Sequence, residues 1–173
     1  MSSRKIQCAI ALLIVATAFT WVYGAQSKPK FTADDFLEIQ ALYNNYAHYF
    51  DAGQGEKWFS LWTEDGEFTH GFGPGQATAN RTPAKGMAAL VRTGSTSGTR
   101  HFVTNLVITP TADGAKGSCY LLLYTARTNP PSFVETAIYD DTLVRTSQGW
   151  RFKKRVVWRD DDDISPFKPK PRS

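Results

Sequence analysis

Cysteine is scarce: the chain holds two in 173 residues, Cys8 and Cys119. Cys8 falls in an N-terminal stretch that reads as a leader, so the rest of the chain cannot close an internal disulfide. Cys119 lies in the apolar run Ser118-Cys119-Tyr120-Leu121-Leu122-Leu123, where a thiol is a small buried hydrophobe and a poor nucleophile. Histidine is scarce too. His48, His70 and His101 are the three present, and no two have the spacing of a His-x-x-x-His metal pair. His70, His101 and Asp51 could in principle share a zinc ion, but the spacing favours an organic site, and the expected metal set is none. Gly71-Phe72-Gly73-Pro74-Gly75 lacks the Lys-Ser/Thr of a phosphate loop and does not run straight into a helix, so it reads as a rim loop. Internal repeats are absent. A large excess of one charge is absent as well: the net charge is +4, and Arg4 and Lys5 belong to the leader, leaving too little to argue for nucleic acid or an anionic membrane.

The leader is the first positive feature. Arg4 and Lys5 precede an uncharged, mostly apolar run from Ile6 to Tyr23 that ends at the small residues Gly24 and Ala25. This is the layout of a secretory signal, with cleavage expected after Gly24. The apolar run is short for a span, which needs about 20 such residues. The expectation is therefore a signal peptide over 1–24, a single domain over 25–159, and a flexible polar tail over 160–173. The product would be exported, periplasmic or secreted, with no stable membrane insertion.

Within the domain, Thr32-Ala33-Asp34-Asp35 has the form of a capping box opening a helix. Phe36, Ile39, Tyr43, Tyr46 and Phe50 then recur at three- and four-residue steps, an apolar stripe ending near Asp51-Ala52-Gly53. Glu56–Trp62 reads as a second short helix, Glu67–His70 as a short strand, and Pro83–Arg92 as a third helix. Four long strand patterns follow, at Arg100–Thr109, Lys116–Arg127, Phe133–Thr146 and Trp150–Arg159. Helices first and strands afterwards predict an α+β fold with the helices on one face of a curved sheet. Strict alternation puts His101, Val103, Asn105 and Val107 on one face and Phe102, Leu106 and Ile108 on the other. In the last strand it puts Trp150, Phe152 and Val156 opposite Arg151, Lys153 and Arg155. Apolar residues on both faces predict a sheet covered on both sides, by its helices and by another copy of the chain.

Helix-end Asp51 and strand residue His101 form the most suggestive pair. On residues alone, His101 reads more readily as a hydrogen-bonded core residue, and His48 reads as a surface residue.

The segments Tyr46-Ala47-His48-Tyr49-Phe50-Asp51, Trp58 to Phe68, Arg100-His101-Phe102-Val103-Thr104-Asn105 and Gly149-Trp150-Arg151-Phe152 follow one another in a familiar order. From about Phe31 to Trp158 the chain resembles the SnoaL-like branch of the nuclear-transport-factor-2-like superfamily. That resemblance implies a cone, in which a bent mixed sheet wraps the N-terminal helices around an apolar cavity at the open end, and a tendency to form homo-oligomers through the sheet. It groups the chain with scytalone dehydratase, bile-acid dehydratase, lindane dehydrochlorinase and ketosteroid isomerase, which abstract protons or eliminate without a cofactor. Asp51 and His101 match that group's helix-end aspartate and strand histidine, and Tyr46 a tyrosine of the bile-acid enzyme. His70 falls where scytalone dehydratase has a pocket tyrosine. The sequence departs from the group at Thr125 and Leu123, where a second histidine and a second acid are missing, and at Phe50, which replaces a tyrosine.

The resemblance implies His101, Asp51 and Tyr46 as catalytic residues, with His70, Asn105, Tyr49, Trp62 and Tyr139 lining the binding site. His101 would act as general base, held by Asp51, while Tyr46, His70 or Asn105 donates to developing negative charge; histidine suits this role because its ordinary pKa lies near neutrality. The expected activity is a cofactor-independent lyase or isomerase acting on a small, largely apolar, cyclic molecule. The alternative is an exported protein that uses the same cavity only to bind such a ligand. A third reading, an assembly subunit docking through its sheet, fits poorly with a leader.

Overall fold

The computed structural model describes residues 31–70, 80–94 and 98–160. The leader, the glycine-rich loop over 71–79 and the tail beyond Asp160 lie outside the described residues. None of the described helices is long and apolar enough to cross a membrane.

Helix α1 spans Ala33–Asp51. Its start is the capping box: the Asp35 amide donates to Thr32 Oγ1 at 3.3 Å, and the Thr32 amide donates to Asp35 Oδ2 at 2.8 Å. Asp35 is buried because it also serves the sheet, accepting from Trp150 Nε1 at 3.0 Å and pairing with Arg145. The buried stripe consists of Ile39, Leu42, Tyr43 and Tyr46. Phe36, expected in that stripe, is exposed; Asp35 takes the inward position at the first turn, and Leu42 completes the stripe further on. Gly53, at φ 68, ends the turn after the helix in the left-handed region that glycine enters without strain.

Helix α2 is shorter than expected, Gly55–Phe59, because Trp62 already begins strand β1 at Trp62–His70. Gly55 is needed here, since a Cβ would collide with the Ala88 carbonyl and Arg92 of the next helix. Strand β2, Asn80–Pro83, was not expected; it pairs antiparallel with β1 and leads through Pro83 into helix α3 at Ala84–Arg92. Ala84, Ala88 and Val91 form the buried face of α3, at steps of four and three. Strands β3 (Thr99–Thr111), β4 (Gly114–Thr125), β5 (Ser132–Thr146) and β6 (Gly149–Arg159) complete the described elements.

The six strands lie in the order β2-β1-β6-β5-β4-β3. β1 runs parallel to β6 and every other pair is antiparallel, so the sheet is mixed, unclosed, and edged by β2 and β3. Register shifts in four of the five pairings mark the bulges that bend it. Two of these shifts overturn the faces expected from strict alternation.

In β3, Thr104 pairs with Tyr120 and Val107 with Ser118, so Asn105 and Leu106 together face the single residue between those partners. Asn105 takes φ 56, a left-handed geometry that asparagine tolerates better than most residues. The phase flips there. His101, Val103, Leu106 and Ile108 are the more buried set, while Phe102, Thr104, Asn105 and Val107 are exposed.

In β6, Phe152 pairs with Leu143 and Lys154 with Thr142, leaving Lys153 as the extra residue. Trp150 and Phe152 therefore share the core with Arg155 and Val157, whereas Val156 lies outside that cluster. Arg155 is thus an interior residue, contrary to the expectation. The core fills the space between the helices and the concave face, with Trp58, Trp62, Tyr43, Tyr46, Tyr139 and Phe152 as its large rings. Outward-facing Phe102, Tyr120, Phe133 and Val107 remain about half exposed or more.

Candidate active site

The end of α1 and the start of β3 bring Asp51 and His101 together. Asp51 Oδ1 lies 2.6 Å from His101 Nδ1, and Asp51 Oδ2 accepts the His101 backbone amide at 2.9 Å. Thr99 Oγ1 adds a third donor, at 3.0 Å to Oδ1. The side chains of His101 and Asp51 keep only 6% and 11% of their exposure. Burial alone would raise the Asp51 pKa, but the hydrogen bond and charge of the His101 ring, its backbone amide and the Thr99 hydroxyl together hold it below the ordinary carboxylate value. The carboxylate stays ionised, which favours the tautomer with the proton on Nδ1 and leaves a lone pair on Nε2. Nε2 has no hydrogen-bond partner among the described residues.

A groove of about 760 Å³ opens beside the pair, between His48, Asp51 and Ala52 of the helix end and Gly98, Arg100 and His101 of the strand. On its other side His101 meets aromatic rings edge to face, Phe50 at 4.8 Å and Tyr46 at 6.3 Å between centroids.

Tyr46 belongs to the core. Its ring packs on Trp58 at 5.4 Å, Phe152 at 5.8 Å, Tyr139 at 6.0 Å and Trp62 at 6.4 Å. Burial drives the hydroxyl pKa values of Tyr46 and Tyr139 up, keeping both protonated. Among these rings lies a buried ion pair: Arg155 Nε donates to Asp141 Oδ1 at 2.8 Å and Nη2 to Oδ2 at 2.7 Å, both side chains wholly buried. The Tyr43 hydroxyl donates to the same Asp141 carboxylate. The guanidinium carbon sits 3.9 Å from the Tyr139 ring centroid, 4.1 Å from Tyr46 and 4.5 Å from Phe152. Burial works against the Arg155 charge, but Asp141 more than offsets it and holds the guanidinium protonated. Burial also pushes the Cys119 thiol up to about 12, which leaves it inert.

The sequence-predicted residues divide accordingly. Asp51 and His101 meet, Tyr46 touches the His101 ring, and Trp62 and Tyr139 join the same aromatic cluster as core residues. Tyr49 is half-buried, with Lys57 Nζ at 5.8 Å from its ring centroid. His70 ends β1, half-buried and 5.6 Å from the Phe68 ring; burial, then the Arg159 charge, lowers its pKa. In sheet order β6, β5 and β4 stand between it and β3. Asn105 does not share the His101 face, because the bulge turns it outward.

Sequence reasoning missed Thr99, Asp141 and Arg155. Asp141 left a signal in the alternating row Ala137, Tyr139, Asp141, Leu143, where one acid stands among residues that all face inward. Arg155 left none, because the bulge at Lys153 hides its phase.

The sequence model of the SnoaL-like domain matches residues 32–156, a span that contains every residue just described. The chain belongs to the SnoaL-like family. The family includes cofactor-independent isomerase- and dehydratase-type proteins. No curated protein matches the chain. Among solved structures, this SnoaL-like chain is similar to a nuclear-transport-factor-2-like protein with a cystatin-like fold from Novosphingobium aromaticivorans, at 25% identity and a TM-score of 0.65, covering 76% of this chain and 86% of that one. ActVI-ORFA from Streptomyces coelicolor shares the fold at 21% identity and a TM-score of 0.61, with 72% and 97% covered. A Catenulispora acidiphila protein solved in complex with S-DNPA shares it at 23% identity and a TM-score of 0.61, with 75% and 96% covered.

Proposed function

We propose that this protein is a cofactor-independent lyase or isomerase in which His101 removes a proton from carbon in a small, largely apolar, cyclic molecule. The observation that carries the reading is the 2.6 Å contact of Asp51 with His101 Nδ1, with Nε2 unpartnered among the described residues. The ionised Asp51 fixes the ring orientation and offsets the positive charge that the ring gains on taking the proton. In the apolar surroundings of Phe50 and Tyr46 an isolated imidazole would resist that charge. The Catenulispora acidiphila protein in complex with S-DNPA supports a small organic ligand for this fold.

The test is carbon–hydrogen exchange. The protein is incubated in deuterium oxide with a panel of cyclic ketones, and deuterium uptake next to the carbonyl is followed by NMR. Catalysed exchange should fall by about two to four orders of magnitude in His101→Ala. Tight binding of panel members with no exchange in the wild type would instead favour the non-catalytic binding protein.

A further inference from the structure

The groove beside the dyad has more donors than acceptors. The one acid in its lining is Asp51, and that carboxylate is already taken up by the His101 ring, the His101 amide and the Thr99 hydroxyl. The same lining holds two exposed side chains that the dyad does not use, His48 and Arg100. Neither meets a carboxylate among the described residues. His48 lies three residues before Asp51 on α1, so the two share a side of the helix. Arg100 Nη1 donates to the Thr99 carbonyl at 2.7 Å, which holds the guanidinium against its own strand. The Nε and Nη2 edge, a fork that matches a carboxylate, has no partner among the described residues.

Arg100, His101 and Phe102 are consecutive, and in an inner strand their side chains would be separated by the sheet. β3 is the edge strand, so one groove running along it meets all three. A helix end ordinarily repels anions through its last carbonyls. Here the carbonyls of His48, Tyr49 and Phe50 already accept from the amides of Ala52, Gln54 and Gly53, at 3.1, 2.8 and 3.1 Å. The apolar part of the lining is Ala47, Ala52 and Phe102.

We infer that Arg100 determines specificity by binding a carboxylate of the ligand through its free fork, with His48 donating from the helix side. Resting on the reading of this groove as the substrate site, the inference narrows the substrate to a cyclic acid. Its ring lies against Ala47, Ala52 and Phe102, its carboxylate on Arg100, and its reacting carbon at His101. Arg100 is the one permanent positive charge in the lining, which suits a carboxylate better than a phosphate dianion.

The test measures binding, not turnover. Cyclohexanecarboxylate is titrated against cyclohexanecarboxamide, which has the same shape without the charge, and the ring protons are followed by NMR at about pH 8, where an ordinary imidazole is neutral. Wild-type protein should bind the acid more tightly than the amide by at least about tenfold. Arg100→Gln should lose that preference and His101→Ala should keep it, with folding of both checked by circular dichroism. Equal affinity for the two probes in the wild type overturns the inference, and so does a preference that survives in Arg100→Gln. Tighter binding of cyclohexyl phosphate than of the carboxylate overturns the choice of anion. Carbon–hydrogen exchange is measured separately: a preference that stands without any exchange removes the base and leaves the carboxylate site, whereas exchange without a preference does the reverse.

Discussion

Thr99 Oγ1 and His101 Nδ1 meet the same oxygen of Asp51, at 3.0 and 2.6 Å, while the His101 backbone amide takes the other. A single carboxylate thus orients the imidazole and anchors the strand that carries it.

The first consequence is a pH dependence of stability. The folded pKa of Asp51 is lowered, so its contribution is fully present above the ordinary carboxylate value of 3.8 and is lost as pH falls through the folded value. Thermal unfolding of the wild type and Asp51→Asn between pH 7 and pH 3 should therefore show a gap that narrows towards the acid end. A gap that is constant across this range would contradict the assignment.

The pair should also act as a unit in turnover. Once an exchanging substrate is found, Asp51→Asn and His101→Ala should each lower its rate by about two to four orders of magnitude. The double variant should be little worse than the poorer single one. Multiplied effects would mean that the two residues work separately.

The ion pair behind the site should matter for stability through the charge left behind. Removing Asp141 strands a buried guanidinium, and Asp141→Ala should cost about 3–5 kcal/mol in urea unfolding. Tyr43→Phe, which removes one donor to that carboxylate, should cost about 1.5–3 kcal/mol. Gly117→Ala should resemble the second change, because its Cβ would collide with the Tyr43 hydroxyl.

The outer face of the sheet carries a ladder of rings, with Phe102, Tyr124 and Phe133 successively 5.8 Å apart, beside exposed Tyr120 and Val107. A second copy covering this face would give a dimer by light scattering at micromolar concentration. Phe102→Glu combined with Tyr120→Glu should then yield a folded monomer. A wild type that is monomeric at every concentration would remove this use of the surface.

Export is tested at the N-terminus. Protein recovered outside the cytoplasm should begin at Ala25, as the residues around Gly24 imply. Recovery with Met1 to Gly24 still attached would refute cleavage there.

Much of the fold could be read from the residues. The capping box at Thr32 and Asp35 is explicit, the order of helices and long strands is visible in the change of period, and the resemblance to the family points to helix-end Asp51 with His101, which meet in the structure. What stayed hidden depends on single residues that interrupt a period of two. Asn105 and Lys153 each add one residue to their strand, and beyond each of them inward and outward exchange. No local preference marks Lys153 as such a point, so Arg155 read as a surface cation. Its burial depends on Asp141 opposite it across the strand pair, a partner fourteen positions away in sequence. The short strand β2 was hidden for a similar reason, since only its pairing with β1 makes Asn80–Pro83 a strand.

β3 is the last strand of the sheet, and the His101 amide that would otherwise be offered to a newcomer is already held by Asp51. The carboxylate therefore closes the sheet at the point where the chemistry is placed. A protein without it would lose its grip on the imidazole and, in the same stroke, present a bare strand margin to its neighbours. Selection for solubility and selection for activity would then fall on one side chain.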